Sequence, residues 1–138
     1  MSHNIIAAAF ESRLLTWAKA RAKPIKVVVE NETYTPAAGE TYLRAFTLPA
    51  VTASNTLSGD HRVYSGVFQV NIVTASGKYR TEASGIVDEL AALFPLNLRI
   101  LRAGLVALVM TPVAPGPGIP DGNTFTVPAS FQYRSDTN

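Results

Sequence analysis

Residues 4 to about 20 and residues 79–94 each carry apolar side chains at helical spacing on one side only. The stretches between and after them alternate with a period of two. In the first helical stretch Ile6, Phe10, Leu14 and Trp17 recur at intervals of four and three. In the second, Tyr79, Ala83, Ile86, Val87, Leu90, Leu93 and Phe94 form the stripe, opposite Arg80, Glu82, Asp88 and Glu89. A one-sided helix must bury its stripe, and a sheet with one apolar face supplies the surface to bury it on. No other feature constrains the fold as much.

The longest strand signal runs over 63–74. Tyr64, Phe68, Val70 and Ile72 share one face; Ser65, Val67, Gln69, Asn71 and Val73 share the other. Gly66 interrupts the run and marks a bulge. Over 124–134, Phe125, Val127, Ala129, Phe131 and Tyr133 alternate with polar or small residues. Pro128 cannot donate to a ladder, so this strand is expected at an edge or bulged at that point. Residues 26–30, centred on Val27, Val28 and Val29, form a shorter strand, as do 41–48. On 41–48, Arg44 shares a face with Tyr42, Phe46 and Leu48, where a charge is out of place. The runs 98–101 and 105–110 flank Arg102-Ala103-Gly104 and read as a hairpin.

Ser2 or Asn4 caps the first helix, with His3 in a frayed terminus, and Pro24 and Pro95 stop the two helices. Gly85, costing roughly 1 kcal/mol against alanine in mid-helix, is explained by a close approach to the sheet. Residues 31–40, 50–62 and 111–123 read as loops. Four prolines and three glycines between 111 and 123 exclude regular structure there. The order is α-β-β-β-α-β-β-β. It specifies an α+β fold, a mainly antiparallel sheet with two amphipathic helices on one face, in a single domain over residues 1–138.

Composition removes several function classes. The 138 residues are 47% hydrophobic and 16% charged, enough for a core without a staple and too apolar for a disordered chain. No apolar run approaches the ~20 residues of a membrane span. Without cysteine there is no disulfide, thiolate zinc site or cysteine nucleophile. Met-Ser-His-Asn at the start lacks the features of a secretory signal, so the expected compartment is the cytoplasm. Net charge is only +2. Arg13, Lys19, Arg21, Lys23 and Lys26 follow one another without an intervening acid, which suits the solvated C-terminal end of a helix better than a nucleic-acid site.

Signals for chemistry are weak. His3 and His61 have no second ligand at metal spacing. Asp88 and Glu89 are helical neighbours that do not face each other, and Glu30 and Glu32 read as solvated strand-end charges. Ser65-Gly66 lies on a strand, not on a nucleophile elbow. Gly116-Pro117-Gly118 lacks the lysine and helix of a phosphate loop, and Pro112-x-x-Pro115 reads as a plain connection. The expectation is no catalytic residue, no metal, no cofactor and no enzymatic activity.

The middle of the chain runs Tyr34-Thr-Pro-Ala-Ala-Gly39-Glu-Thr-Tyr42-Leu43-Arg44, then a loop, then Arg62-Val-Tyr-Ser65-Gly66-Val-Phe68-Gln69-Val70. A helix ends in Leu93-Phe94-Pro95, and Val127-Pro128-Ala-Ser-Phe131-Gln-Tyr133-Arg134 follows near the end. In order and spacing these pieces resemble the small tail-terminator-like proteins of tailed bacteriophages, over nearly the whole chain. The resemblance implies a lambda-type terminator fold, a sheet with helices packed on it, and a structural role in assembling a phage or prophage virion. It implies subunits that form a ring, typically of six copies, on the tail tube and that can be monomers when free. The ring caps the tail tube protein at tail completion and offers its other face to a head-side connector protein. It further implies assembly in the host bacterial cytoplasm and residence at the neck end of the virion tail, with neither a membrane nor a specific nucleic-acid sequence as partner.

A ring subunit needs head-to-tail surfaces that close by rotation. Long segments such as 50–62 and 111–123 are uncommon unless functional, and would order against a neighbour or the tube. Arginine is enriched at interfaces, which makes Arg44, Arg62, Arg80, Arg99 and Arg102 the candidate subunit or tube contacts. The alternatives for each are an ordinary surface arginine or a residue lining the ring's lumen. Two other functions remain as alternatives: a head–tail adaptor or other neck or minor tail protein, and a small-ligand binding module rimmed by the loops.

Overall fold

The computed structural model describes residues 3–30, 32–50, 53–54, 62–75 and 80–137. Within them lie helices α1 (His3–Ala20) and α2 (Arg80–Leu93). The strands are β1 (Lys26–Val28), β2 (Tyr42–Pro49), β3 (Ala53–Ser54), β4 (Arg62–Ala75), β5 (Arg99–Arg102), β6 (Leu105–Val109), β7 (Ala114–Pro115), β8 (Ile119–Asp121) and β9 (Thr124–Thr137). The main sheet runs β1-β2-β4-β9-β6-β5. Only β1 and β2 pair in parallel; every other pairing is antiparallel. The expected α+β order holds, with three very short strands added to it.

Alternation along the strands builds one buried face. Leu43 and Ala45 of β2, Phe68, Val70 and Ile72 of β4, Ala129 and Phe131 of β9, and Leu105, Ala107 and Val109 of β6 meet Ile6, Phe10 and Leu14 of α1, Ile86 and Leu90 of α2, and Phe94 just after it, in one cluster. Both helical stripes therefore pack on the same side of the sheet. Phe10 is fully buried at the centre, its ring centroid 5.3 Å from Phe68, 6.0 Å from Phe94, 5.1 Å from Phe131 and 5.7 Å from Tyr133. Burying an aromatic side chain of this size contributes roughly 2–3 kcal/mol.

Several expectations are corrected. Residues 111–123 are not irregular: β7 and β8 lie within them and pair with β9. Proline is tolerated on such short edge segments because its absent N–H can face away from the ladder. β3 likewise lies in the segment read as a loop over 50–62. β9 is central rather than at an edge, and it pairs with β4 without a bulge, Pro128 standing opposite Asn71. The Pro128 carbonyl accepts from Gly116 N at 2.7 Å. A strand residue's N and C=O point to the same side, so the nitrogen of Pro128 also faces the β7–β8 side and leaves the β4 ladder whole.

Gly66 is not a bulge either, since the register of β4 with β9 runs straight through it and the ladder with β2 reaches it without an extra residue. A Cβ there would lie 2.5 Å from Leu48 O and 2.7 Å from Tyr133 Oη; the strand needs glycine for lack of space. Gly85 has open space beside it, so the expected close approach is absent and nothing in the structure explains this glycine. His3 is not frayed: it begins α1, half-buried, with Nδ1 2.7 Å from Tyr133 Oη. Asn4 lies inside the helix and does not cap it; Ser2 and His61 lie outside the described residues.

Candidate functional site

The face of the sheet opposite the helices carries neither helix. Arg44 explains itself here, because the buried residues of β2 on the helix side are Leu43, Ala45 and Thr47. Arg44 belongs to the outer face, with its guanidinium 5.4 Å from the Tyr42 ring centroid. Tyr42 packs with Val28, Val73 and Tyr34 in a small second cluster on that side. Further along the same face Arg99, Leu108, Arg134 and Ser65 stand opposite one another on successive strands.

The three candidate arginines whose side chains are described, Arg44, Arg99 and Arg102, do not converge. Arg44 and Arg99 share the outer face but lie toward opposite ends of the sheet. Arg102, three positions after Arg99, projects to the other side of β5, the side of Leu105 and α1. Arg62 opens β4, paired with Ser54 and Thr137, and Arg80 opens α2; their side chains lie outside the described residues. Arg44, Arg99 and Arg102 have no ion-pair partner among the described residues.

By contrast, Arg13 of α1 and Arg21 and Lys26 beyond it are engaged internally. Arg21 makes a two-pronged contact with Glu89, Nε to Oε1 at 3.0 Å and Nη2 to Oε2 at 2.8 Å. Arg13 Nε donates to Leu93 O at 2.8 Å. Lys26 pairs with Glu32 at 2.7 Å, and that cation, with the Val29 amide, holds the Glu32 carboxyl below the usual range. Glu30 and Glu32, expected as free strand-end charges, are thus both occupied: Glu30 accepts from the Thr47 amide. These contacts tie α1 to α2 and to the β1 end of the sheet.

Two hollows flank α1. One, of about 600 Å³, runs between α1 and β5 and is lined by Arg13, Trp17, Leu93, Ile100, Leu101 and Arg102, among others. Leu101 on its lip is 72% exposed. The other, of about 350 Å³, lies by the start of α1 and the end of β2, and includes His3, Glu11, Glu30, Thr47 and Pro49. Glu11's carboxyl is pushed up by burial and by the charge of Glu30. Thr47 Oγ1 is buried there without a hydrogen-bond partner among the described residues.

Sequence reasoning missed Arg134, Glu11 and the α1–β5 hollow. Arg134 grips Asp136 with two bonds, 2.7 and 2.9 Å; an Arg-x-Asp spacing on a strand puts both on one face and was the readable signal. Glu11 is the single acid in α1. The hollow depends on how the hairpin tip meets the helix, which no local pattern encodes. No group of three or more His, Cys, Asp or Glu residues that could hold a metal occurs among the described residues, nor any helix long and apolar enough to cross a membrane.

No curated protein matches the chain. One solved structure is 46% identical in sequence, with a TM-score of 0.83, over 98% of this chain and 96% of its own. A family model described as phage tail terminator protein matches residues 5–133, which takes in both helices and nearly all of the sheet. The chain belongs to the phage tail terminator protein family.

Proposed function

We propose that this chain is the subunit of a hexameric ring that closes the tail tube when the tail is complete and then joins it to the head-side connector. The role is structural, not enzymatic. The observation that carries the reading is the family match over nearly the whole chain. A sheet with one face free of helices supports it, as does an end strand, β5, that pairs only with β6 among the described residues. An isolated monomer has little use for such surfaces, whereas head-to-tail assembly needs them. Residues 1–138 act as one domain. The subunit is a free monomer in the host cytoplasm and takes its place at the neck end of the virion tail. Arg44, Arg62, Arg80, Arg99 and Arg102 are the proposed contacts to neighbours and tube.

The test is to mix the purified chain with purified tail tubes and count subunits by native mass spectrometry and negative-stain microscopy. The expected result is one ring at one end of each tube. Binding to a head-side connector with no tube binding would make the protein a head–tail adaptor instead. Binding to neither would sink the assembly reading.

A further inference from the structure

The two flanks of α1 carry opposite charge and face opposite ends of the sheet. On the flank beside β2, Glu11 and Glu30 line one hollow with Thr47 and Pro49. Neither carboxylate has an ion-pair partner among the described residues. On the flank beside β5, Arg102 and Arg13 border an apolar groove containing Trp17 and Leu101. Arg102 is exposed and unpaired among the described residues. β2 and β5 are four inter-strand steps apart, roughly 19 Å at about 4.8 Å per step. The two surfaces therefore cannot satisfy each other within one chain.

The acidic hollow lacks a specific kind of group. It presents two carboxylates and a buried hydroxyl, Thr47 Oγ1, that has no partner among the described residues. A guanidinium brings five N–H donors in a flat fork, which matches several acceptors at once better than an ammonium does. Pro49, exposed at the end of β2, lines the hollow and gives its rim an apolar patch of its own. At the opposite end, the exposed Leu101 and the Trp17 groove offer apolar surface for such a patch.

We propose that one copy docks its α1–β5 end into the Glu11–Glu30 hollow of the next copy, with Arg102 entering between the two carboxylates and Pro49 covering the groove beside Leu101. The occupant of each surface is a second copy of this chain. Because the two surfaces differ and lie at opposite ends of one subunit, repeating the contact gives a head-to-tail series, which closes into a ring when the rotation per step allows, and not a two-fold dimer. This rests on the ring reading above and names the contact that closes it.

The test compares wild type with Arg102→Glu, Glu11→Lys, the combination of both, and Leu101→Ser, scoring the fraction of tube ends that carry a ring. Circular dichroism melts check folding. Each single charge reversal is expected to lower ring formation at least about tenfold, and the combination to return it to within about threefold of wild type, as a re-formed close charge pair should. Leu101→Ser is expected to lower it as well. Rings that survive both single reversals, or a combination no better than its parts, would overturn this contact while wild-type rings keep the ring reading intact. No ring from wild type would remove the ring reading, and this contact with it. Should Glu11→Lys not fold, Arg102→Glu and Leu101→Ser decide, since both sites are exposed: rings retained by both overturn the contact.

Discussion

The imidazole Nδ1 of His3 lies 2.7 Å from the hydroxyl oxygen of Tyr133, joining the first turn of α1 to β9 across 130 positions of sequence. The His3 ring also stands edge-on to Tyr64, 5.2 Å between centroids. The start of the helix is therefore pinned to the two central strands, and the position of α1 on the sheet is set at that end by polar as well as apolar contact.

Burial pushes the Tyr133 hydroxyl up to about 12 from 10.0. Its folded-state value is above its unfolded one, so the stability it contributes is complete below pH 10 and lost as pH rises through 12. Tyr133→Phe should cost about 1 kcal/mol near pH 8 and flatten the alkaline fall in stability. Tyr34, raised likewise by donating to Glu40, adds to that fall. Urea midpoints measured from pH 8 to 12 check this; an unchanged alkaline limb in the variant would assign it elsewhere.

Glu11 is raised by burial first and by Glu30 second. The fold favours its neutral form, so its favourable contribution is present below about pH 4.5 and is lost as pH rises through the folded value. Glu11→Gln is therefore expected to melt slightly higher than wild type at pH 7 and to lose that advantage at pH 4. A lower Tm for the variant at pH 7 would contradict the placement of Glu11 beside Glu30.

Gly66→Ala should destabilise by about 1–3 kcal/mol, the usual range for a methyl forced into filled space. The added carbon would collide with Leu48 O and Tyr133 Oη. In a Tyr133→Phe background the cost should shrink but not vanish, because the Leu48 carbonyl remains. A double-mutant cycle by urea denaturation reads this coupling directly; strict additivity would argue against the contact.

Ala103 and Gly104 both have positive φ, 50° and 82°, the pattern of a two-residue type I′ turn between β5 and β6. An alanine in that region is disfavoured by roughly 1–2 kcal/mol. Ala103→Gly should raise stability by a part of that amount, the greater freedom of glycine in the unfolded chain offsetting the rest. The shift in thermal midpoint is the readout, and a decrease would show that Ala103 is not held in this conformation.

Much of the fold was legible because burial writes a period into the sequence. The stripe through Ile6, Phe10 and Leu14 and the alternation through Tyr64, Phe68 and Val70 each have one apolar face, and both faces enter one core. What stayed hidden depends on partners distant in the chain. Pro128 looked like an edge residue, yet its nitrogen faces the broken side of β9, where Gly116 approaches. Gly66 looked like a bulge because the Tyr133 side chain that fills its space is remote in sequence. Arg44 looked misplaced until the sheet's outer face existed to receive it. The opposed hollows of α1 were beyond reach for the same reason, since each is completed by residues on a different strand.

β9 stands in the middle of the sheet although it is the last strand in sequence. β1-β2-β4 on one side and β6-β5 on the other meet in the main sheet only through it. On the ribosome, neither half can complete its ladder until residues beyond 124 have emerged. Before that point the sheet is two separate ladders with open edges, bridged by α1, which packs against strands of both. A chain that ends there lacks the continuous sheet on which both helices bury their apolar stripes. Because the joining strand follows both halves in the chain, its emergence is the condition for one continuous sheet.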